Sequence, residues 1–90
     1  MIDYPIIDIH VHLRNNPDDN LKIIKESGIS EVVAMANTQP VLDTLEKIKA
    51  YKRKCQNSKV KVYQISAITK DLEGRELVDI ESLKNQVVGL

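Results

Sequence analysis

The sequence predicts an α/β fold built from parallel βα units, and three observations carry that expectation. Short apolar runs at Ile6–Leu13, Glu31–Ala36, Val60–Ile68 and Val87–Leu90 alternate with amphipathic stretches. The stretches between them are short, which puts successive strands side by side through right-handed crossovers. The hydrophobic share of 42% contains no Phe and no Trp, and a core of branched aliphatics suits buried parallel strands. With 90 residues there is room for one small domain, and we read 1–90 as a single segment.

The first run has period two. Ile7, Ile9, Val11 and Leu13 occupy the odd positions, and Asp8, His10, His12 and Arg14 the even ones. That is a strand with two chemically distinct faces, the wholly aliphatic one anchoring it in a core. Asn16 then fits a helix N-cap, Pro17 the first helical position, and Asp18 and Asp19 the positive helix end. Leu21 and Ile24 share one face of this short helix, and Gly28 fits a left-handed C-terminal cap.

The second strand, Glu31–Ala36, ends at Asn37-Thr38-Gln39-Pro40. Asp43 to Glu46 resembles a capping box. A helix should follow to about Gln56, burying Leu45, Ile48, Tyr51 and Cys55. The third strand is read over Val60–Ile68, a loop over Thr69–Arg75, a short helix or turn over Asp79–Asn85, and the start of a fourth strand at Val87. Periodicity alone allows both an open doubly wound sheet and part of a (β/α)8 barrel.

Composition excludes several classes of function. The formal net charge is +0, so nothing favours electrostatic binding of nucleic acid or an anionic membrane. The basic cluster Lys47–Lys54 is interleaved with Ile48, Ala50 and Tyr51 and reads as the solvated face of a helix. No apolar run approaches the roughly 18 residues that span a bilayer. No signal peptide is evident, and Cys55 is the only cysteine, so no internal disulfide can form. These features lead us to expect a cytoplasmic protein.

The chemistry concentrates at Asp8-Ile9-His10-Val11-His12-Leu13-Arg14. Residues two apart leave the same strand face, their Cα atoms about 6.5 Å apart. Two imidazoles leaning together from that spacing can share one metal ion at about 2.0–2.1 Å, zinc or a similar divalent metal. A lone H-x-H can also be a solvated strand face. Here the opposite face is aliphatic, Lys, Glu and Thr are missing from the polar face, and both histidines of the chain sit in it. His10 and His12 are therefore the candidate metal ligands, with Asp8 placed to orient one of them. Arg14, just beyond the strand, can grip a carboxylate with two parallel hydrogen bonds, or serve as a surface charge. Asn37 and Thr38 follow the second strand, where ligands bind in parallel α/β folds.

These residues resemble a known family. D-I-H-V-H-L-R at 8–14 is similar to the first metal-binding strand of dihydroorotases, within the cyclic amidohydrolases. M-A-N-T-Q-P-V-L-D-T at 35–44, A-I-T-K-D-L-E-G-R-E-L at 67–77 and V-V-G-L at 87–90 match the following units in order. The resemblance implies the opening three βα units, and the start of a fourth strand, of a (β/α)8 barrel. It implies one or two zinc ions, with His10 and His12 as ligands and Arg14 and Asn37 binding the substrate carboxylate. The implied reaction is reversible hydrolysis of dihydroorotate to N-carbamoyl-aspartate in pyrimidine biosynthesis. In it the metal would activate water and polarise the ring amide carbonyl.

Two departures stand out. The family usually follows its Arg with Glu-Pro-Gly, where this chain has Asn15-Asn16-Pro17, and the stretch from Arg14 to Met35 is several residues short. The family's later ligands and catalytic Asp cannot be placed here, so no catalytic acid or base is assigned. A barrel of this kind takes about 250 residues. We therefore expect these 90 residues alone to be inactive, and to self-associate, pair with a complementary chain or fold poorly. The other readings are a hydantoinase- or allantoinase-like enzyme, a non-catalytic dihydroorotase-like partner subunit, and a flavodoxin-like module. The last is disfavoured because the loop after the first strand has no Gly and carries two acids.

Overall fold

A computed structural model describes residues 5–90, so the first four residues of the segment lie outside the described part. Three strands, β1 (Ile7–Val11), β2 (Glu31–Ala34) and β3 (Lys61–Gln64), form a parallel sheet in the order β1-β2-β3. Two helices, α1 (Pro17–Glu26) and α2 (Leu45–Cys55), make the crossovers and pack against each other. A short helix α3 (Ile80–Leu83) follows, with Asp79 as its N-cap. The chain then returns beside β3 through a parallel bridge between Ile65 and Gly89. The strands are shorter than the apolar runs because those runs continue into turns. Ala36, Ala67 and Val60 are buried without belonging to the ladder.

The helices end where local chemistry ends them. Pro17 opens α1 and Asp18 and Asp19 sit in its first turn. At the other end Gly28 takes φ 93, its N–H meets the Lys25 carbonyl, and the Ile29 N–H meets the Ile24 carbonyl. That pair of bonds is a Schellman cap, which needs a residue at positive φ. The start of α2 differs from the expectation. Thr44, not Asp43, is the N-cap, and its hydroxyl accepts the Lys47 N–H at 3.3 Å. Asp43 is thereby released for a longer-range task.

One buried cluster joins the layers. Leu13, Leu21, Val32, Ala34, Ile48, Tyr51, Cys55 and Val60 all belong to it. The aliphatic face of β1 is anchored in this core at its C-terminal end only. Leu13 is 1% exposed, but Ile7 and Ile9 are 52% and 73% exposed. The reason lies in the pairing. β1 is an edge strand, and it advances three positions from Asp8 to Val11 while β2 advances two from Val32 to Ala34. The extra residue is a bulge at Ile9–His10, which breaks strict alternation and frees the N-terminal half of the strand from the core.

Asp43 pins a second irregular segment. Its carboxylate is 3% exposed, accepts from the Lys47 ammonium at 2.9 Å and from the Asp71 N–H at 2.8 Å. Asp71 and Leu72 have φ 54 and 60, a left-handed conformation that costs an L-residue about 1–2 kcal/mol. Burial alone would push the Asp43 carboxyl up. The Asp71 N–H and the Lys47 ammonium outweigh that and hold it below the usual value. A carboxyl with a depressed folded pKa stabilises the fold above its unfolded pKa, and that stability is lost as pH falls from about 4. We expect urea stability to drop on going from neutral pH to the acid side of that window. Asp43→Asn should be weaker at neutral pH by about 1–3 kcal/mol and show a smaller acid-side drop. Equal acid-side drops in the two proteins would remove Asp43 as the cause.

Candidate metal centre

The β1 bulge sits beside the chemistry. Within it the Asp8 carboxylate accepts the backbone N–H of His10 at 3.0 Å. Asp8 therefore shapes the backbone at His10, and among the described residues it makes no hydrogen bond to either ring. His10, in the bulge, and His12, past it, project to the same side. Their ring centroids are 5.1 Å apart with planes at 67°, and the two Nε2 atoms face each other at 3.2 Å.

That separation fits a shared cation. Two nitrogens 3.2 Å apart, each at the usual zinc–nitrogen length of about 2.0–2.1 Å, subtend about 100–105° at the metal, close to tetrahedral. The donor set is two imidazoles, which suits zinc and similar divalent ions. Among the described residues no third His, Cys, Asp or Glu joins them. Both rings are exposed and β1 is an open edge, so the two imidazoles are sheltered on one side only. Its wall on one side is a cleft of about 560 Å³ lined by His12, Met35, Asn37, Ile65, Ile68 and Leu72.

Asn37 joins the pair directly. Its Oδ1 lies 2.9 Å from Nδ1 of His12. The end of β2 is fixed beside β1 by the Met35 N–H bonding to the Val11 carbonyl at 2.9 Å. Thr38, read in sequence as Asn37's companion, is buried and spends its hydroxyl on the Pro40 carbonyl at 2.7 Å. It shapes the turn and does not face the cleft.

Arg14 stands at the exposed turn two residues past His12, at φ 64. Its side chain bonds to none of His10, His12 or Asn37 among the described residues. The turn that carries it is held from several sides. Tyr51 of α2 donates its hydroxyl to the Arg14 carbonyl, and Asn20 donates to the Leu13 carbonyl at 3.0 Å. Asn15 accepts the Gln39 N–H at 2.6 Å, tying this turn to the one after β2. Burial pushes the Tyr51 phenol up, so it stays a donor. Sequence reading placed Tyr51 in the core by its helical spacing and missed this contact. Cys55 is no rival nucleophile, because burial, with Asp18 nearby, raises its thiol to about 11.

A sequence model described as Dihydro-orotase-like matches residues 1–89. The chain belongs to the dihydroorotase-like family. A relative in that family, the dihydroorotase of Clostridioides difficile, is 37% identical over 86 residues, covering 88% of this chain and 20% of the relative. The dihydroorotase of Clostridium acetobutylicum is 38% identical over 85 residues, with 87% and 20% covered. That of Staphylococcus epidermidis is 35% identical over 85 residues, with 86% and 20% covered. This member of the dihydroorotase-like family thus spans about one fifth of the length of the curated relatives it matches.

Proposed function

We propose that this chain supplies the first βα units of a dihydroorotase barrel and the first two ligands of its metal centre. The observation that carries the reading is the 3.2 Å approach of the His10 and His12 Nε2 atoms in a chain of this family. Strand order supports the barrel. A flavodoxin-like sheet would place β1 between β2 and the third strand, and a Rossmann sheet would place the fourth strand next to the first. Here β2 is central and the Gly89 segment lies beside β3, the sequential order of a barrel wall.

In this reading His10 and His12 hold zinc, Arg14 grips the substrate carboxylate in a fork, and the Asn37 amide donates to the same group. A divalent cation held there supplies Lewis acidity toward the ring amide carbonyl and toward water. The reaction is the reversible hydrolysis of dihydroorotate to N-carbamoyl-aspartate. A free carboxylate on the substrate is what Arg14 and Asn37 favour over hydantoin or allantoin. The setting is cytoplasmic pyrimidine synthesis. Ile7, Ile9, Ile68, Leu77 and Val88 are each at least half exposed, apolar surface of the kind that further barrel strands, a complementary chain or a second copy would cover.

The test is turnover by a polypeptide in which these residues are joined to the later strands of such a barrel, offered dihydroorotate, hydantoin and allantoin. Dihydroorotate should be the preferred substrate, and the 90-residue chain alone should turn over none of them. Preference for hydantoin or allantoin would move the assignment to those enzymes. Turnover by the short chain alone would contradict the division of the centre between this segment and later strands. No helix among the described residues is long and apolar enough to cross a membrane.

A further inference from the structure

We infer that Asn37 is a positioning residue for His12, holding the ring in the tautomer that leaves Nε2 as a metal donor. The inference rests on the metal-centre reading above and adds to the carboxylate contact a second task for the same side chain.

The argument begins with what the atoms can do. An amide oxygen only accepts, so the 2.9 Å contact from His12 Nδ1 to Asn37 Oδ1 requires the proton on Nδ1. A neutral imidazole has one N–H, so Nε2 then carries the lone pair. Nε2 is the atom that faces His10 Nε2 at 3.2 Å. A free neutral histidine side chain in water prefers its proton on Nε2, the form that cannot ligate through that atom. An acceptor at Nδ1 is therefore needed to reverse the preference, and the hydrogen bond made by one ring nitrogen fixes what the other is free to do.

Asn37 is held for that role before any metal arrives. The Met35 N–H to Val11 carbonyl bond docks the end of β2 on β1 just before it. The buried Thr38 and the Gln39 N–H to Asn15 Oδ1 bond fix the turn just after it. The amide nitrogen of Asn37 has no protein acceptor among the described residues and stays free to donate to a carboxylate. The two ends of one side chain thus serve the metal ligand and the substrate.

Ring-nitrogen NMR on the isotope-labelled chain, together with zinc affinity by chelator competition, tests this. His12 should be found with its proton on Nδ1. Asn37→Leu should shift it toward the Nε2–H form and weaken zinc binding about 10–100-fold, the effect usual for loss of such an orienting partner. Asn37→Asp keeps an oxygen acceptor at the same place and should restore both the tautomer and the affinity. A wild-type His12 found in the Nε2–H form overturns the inference whatever the variants do. So does unchanged zinc affinity in Asn37→Leu, or a leucine defect that aspartate does not rescue. His10→Ala separates the two levels. If His10→Ala binds zinc as tightly as the unaltered chain, the metal-centre reading itself fails. If it loses zinc while Asn37→Leu does not, only the role given to Asn37 fails.

Discussion

Replacing either His10 or His12 by alanine should weaken zinc binding by more than about 100-fold, because loss of a ligand exceeds the 10–100-fold effect of losing an orienting partner. The two Nε2 atoms, 3.2 Å apart, act as one chelating unit. With one imidazole gone, the other is left as a single-point donor on an exposed strand edge. The two single variants should then be nearly as defective as the double variant, the non-additivity expected of groups that share one partner. Chelator competition measures this directly. Additive losses in the single variants would mean that the rings bind separate ions, and no loss would mean that they bind none.

The second large effect is on stability, and it contrasts two residues that share a side of the β1 sequence pattern. Leu13→Ala removes a side chain that is 1% exposed, directly after the histidine pair. It should cost about 2–5 kcal/mol, the range for a buried leucine cut to alanine. Against a total of about 5–15 kcal/mol for a typical domain, that is a large share. Ile9→Ala, at a position 73% exposed, should change stability by no more than about 0.5 kcal/mol. Urea denaturation of the two variants checks the pair. Equal losses would mean that the bulge described for β1 is wrong and that the strand is uniformly buried.

Much of the fold was legible in the sequence because its signals are local. α2 buries Ile48, Tyr51 and Cys55 as its spacing predicts, and Gly28 takes the left-handed cap that ends α1. Of the fourth strand expected at Val87, only an isolated parallel bridge from Gly89 to Ile65, just past β3, is present. What sequence did not disclose depends on pairing across the chain. The β1 bulge is a mismatch between two strands, and neither strand alone records it. The apolar run at Val60–Ile68 mixes ladder residues with buried turn residues, so it overstated β3, which ends at Gln64. The Asp43 signal was misread as a cap because its true partner, the Asp71 N–H, lies 28 residues away.

The site divides in the same way. The closeness of His10 and His12 was legible from spacing, since two residues on one strand need no tertiary knowledge to be placed together. Asn37 was placed at the same end of the sheet by its position after the second strand, but its bond to the His12 ring spans 25 residues and depends on how β2 docks on β1. Tyr51 reaches the Arg14 carbonyl across 37 residues, and a core tyrosine carries no mark in sequence of where its hydroxyl will go. Arg14 itself was found as a charge at a strand end. Its left-handed backbone, the feature that needs Tyr51 and Asn20 to hold the turn, was not.

X-ray absorption at the zinc edge of the zinc-loaded chain addresses the metal centre without recourse to activity. Two imidazole nitrogens per zinc, at about 2.0–2.1 Å with the outer-shell scattering of histidine rings, are the predicted result. A first shell of oxygens alone, or one containing sulfur at about 2.3 Å from Cys55, would contradict it.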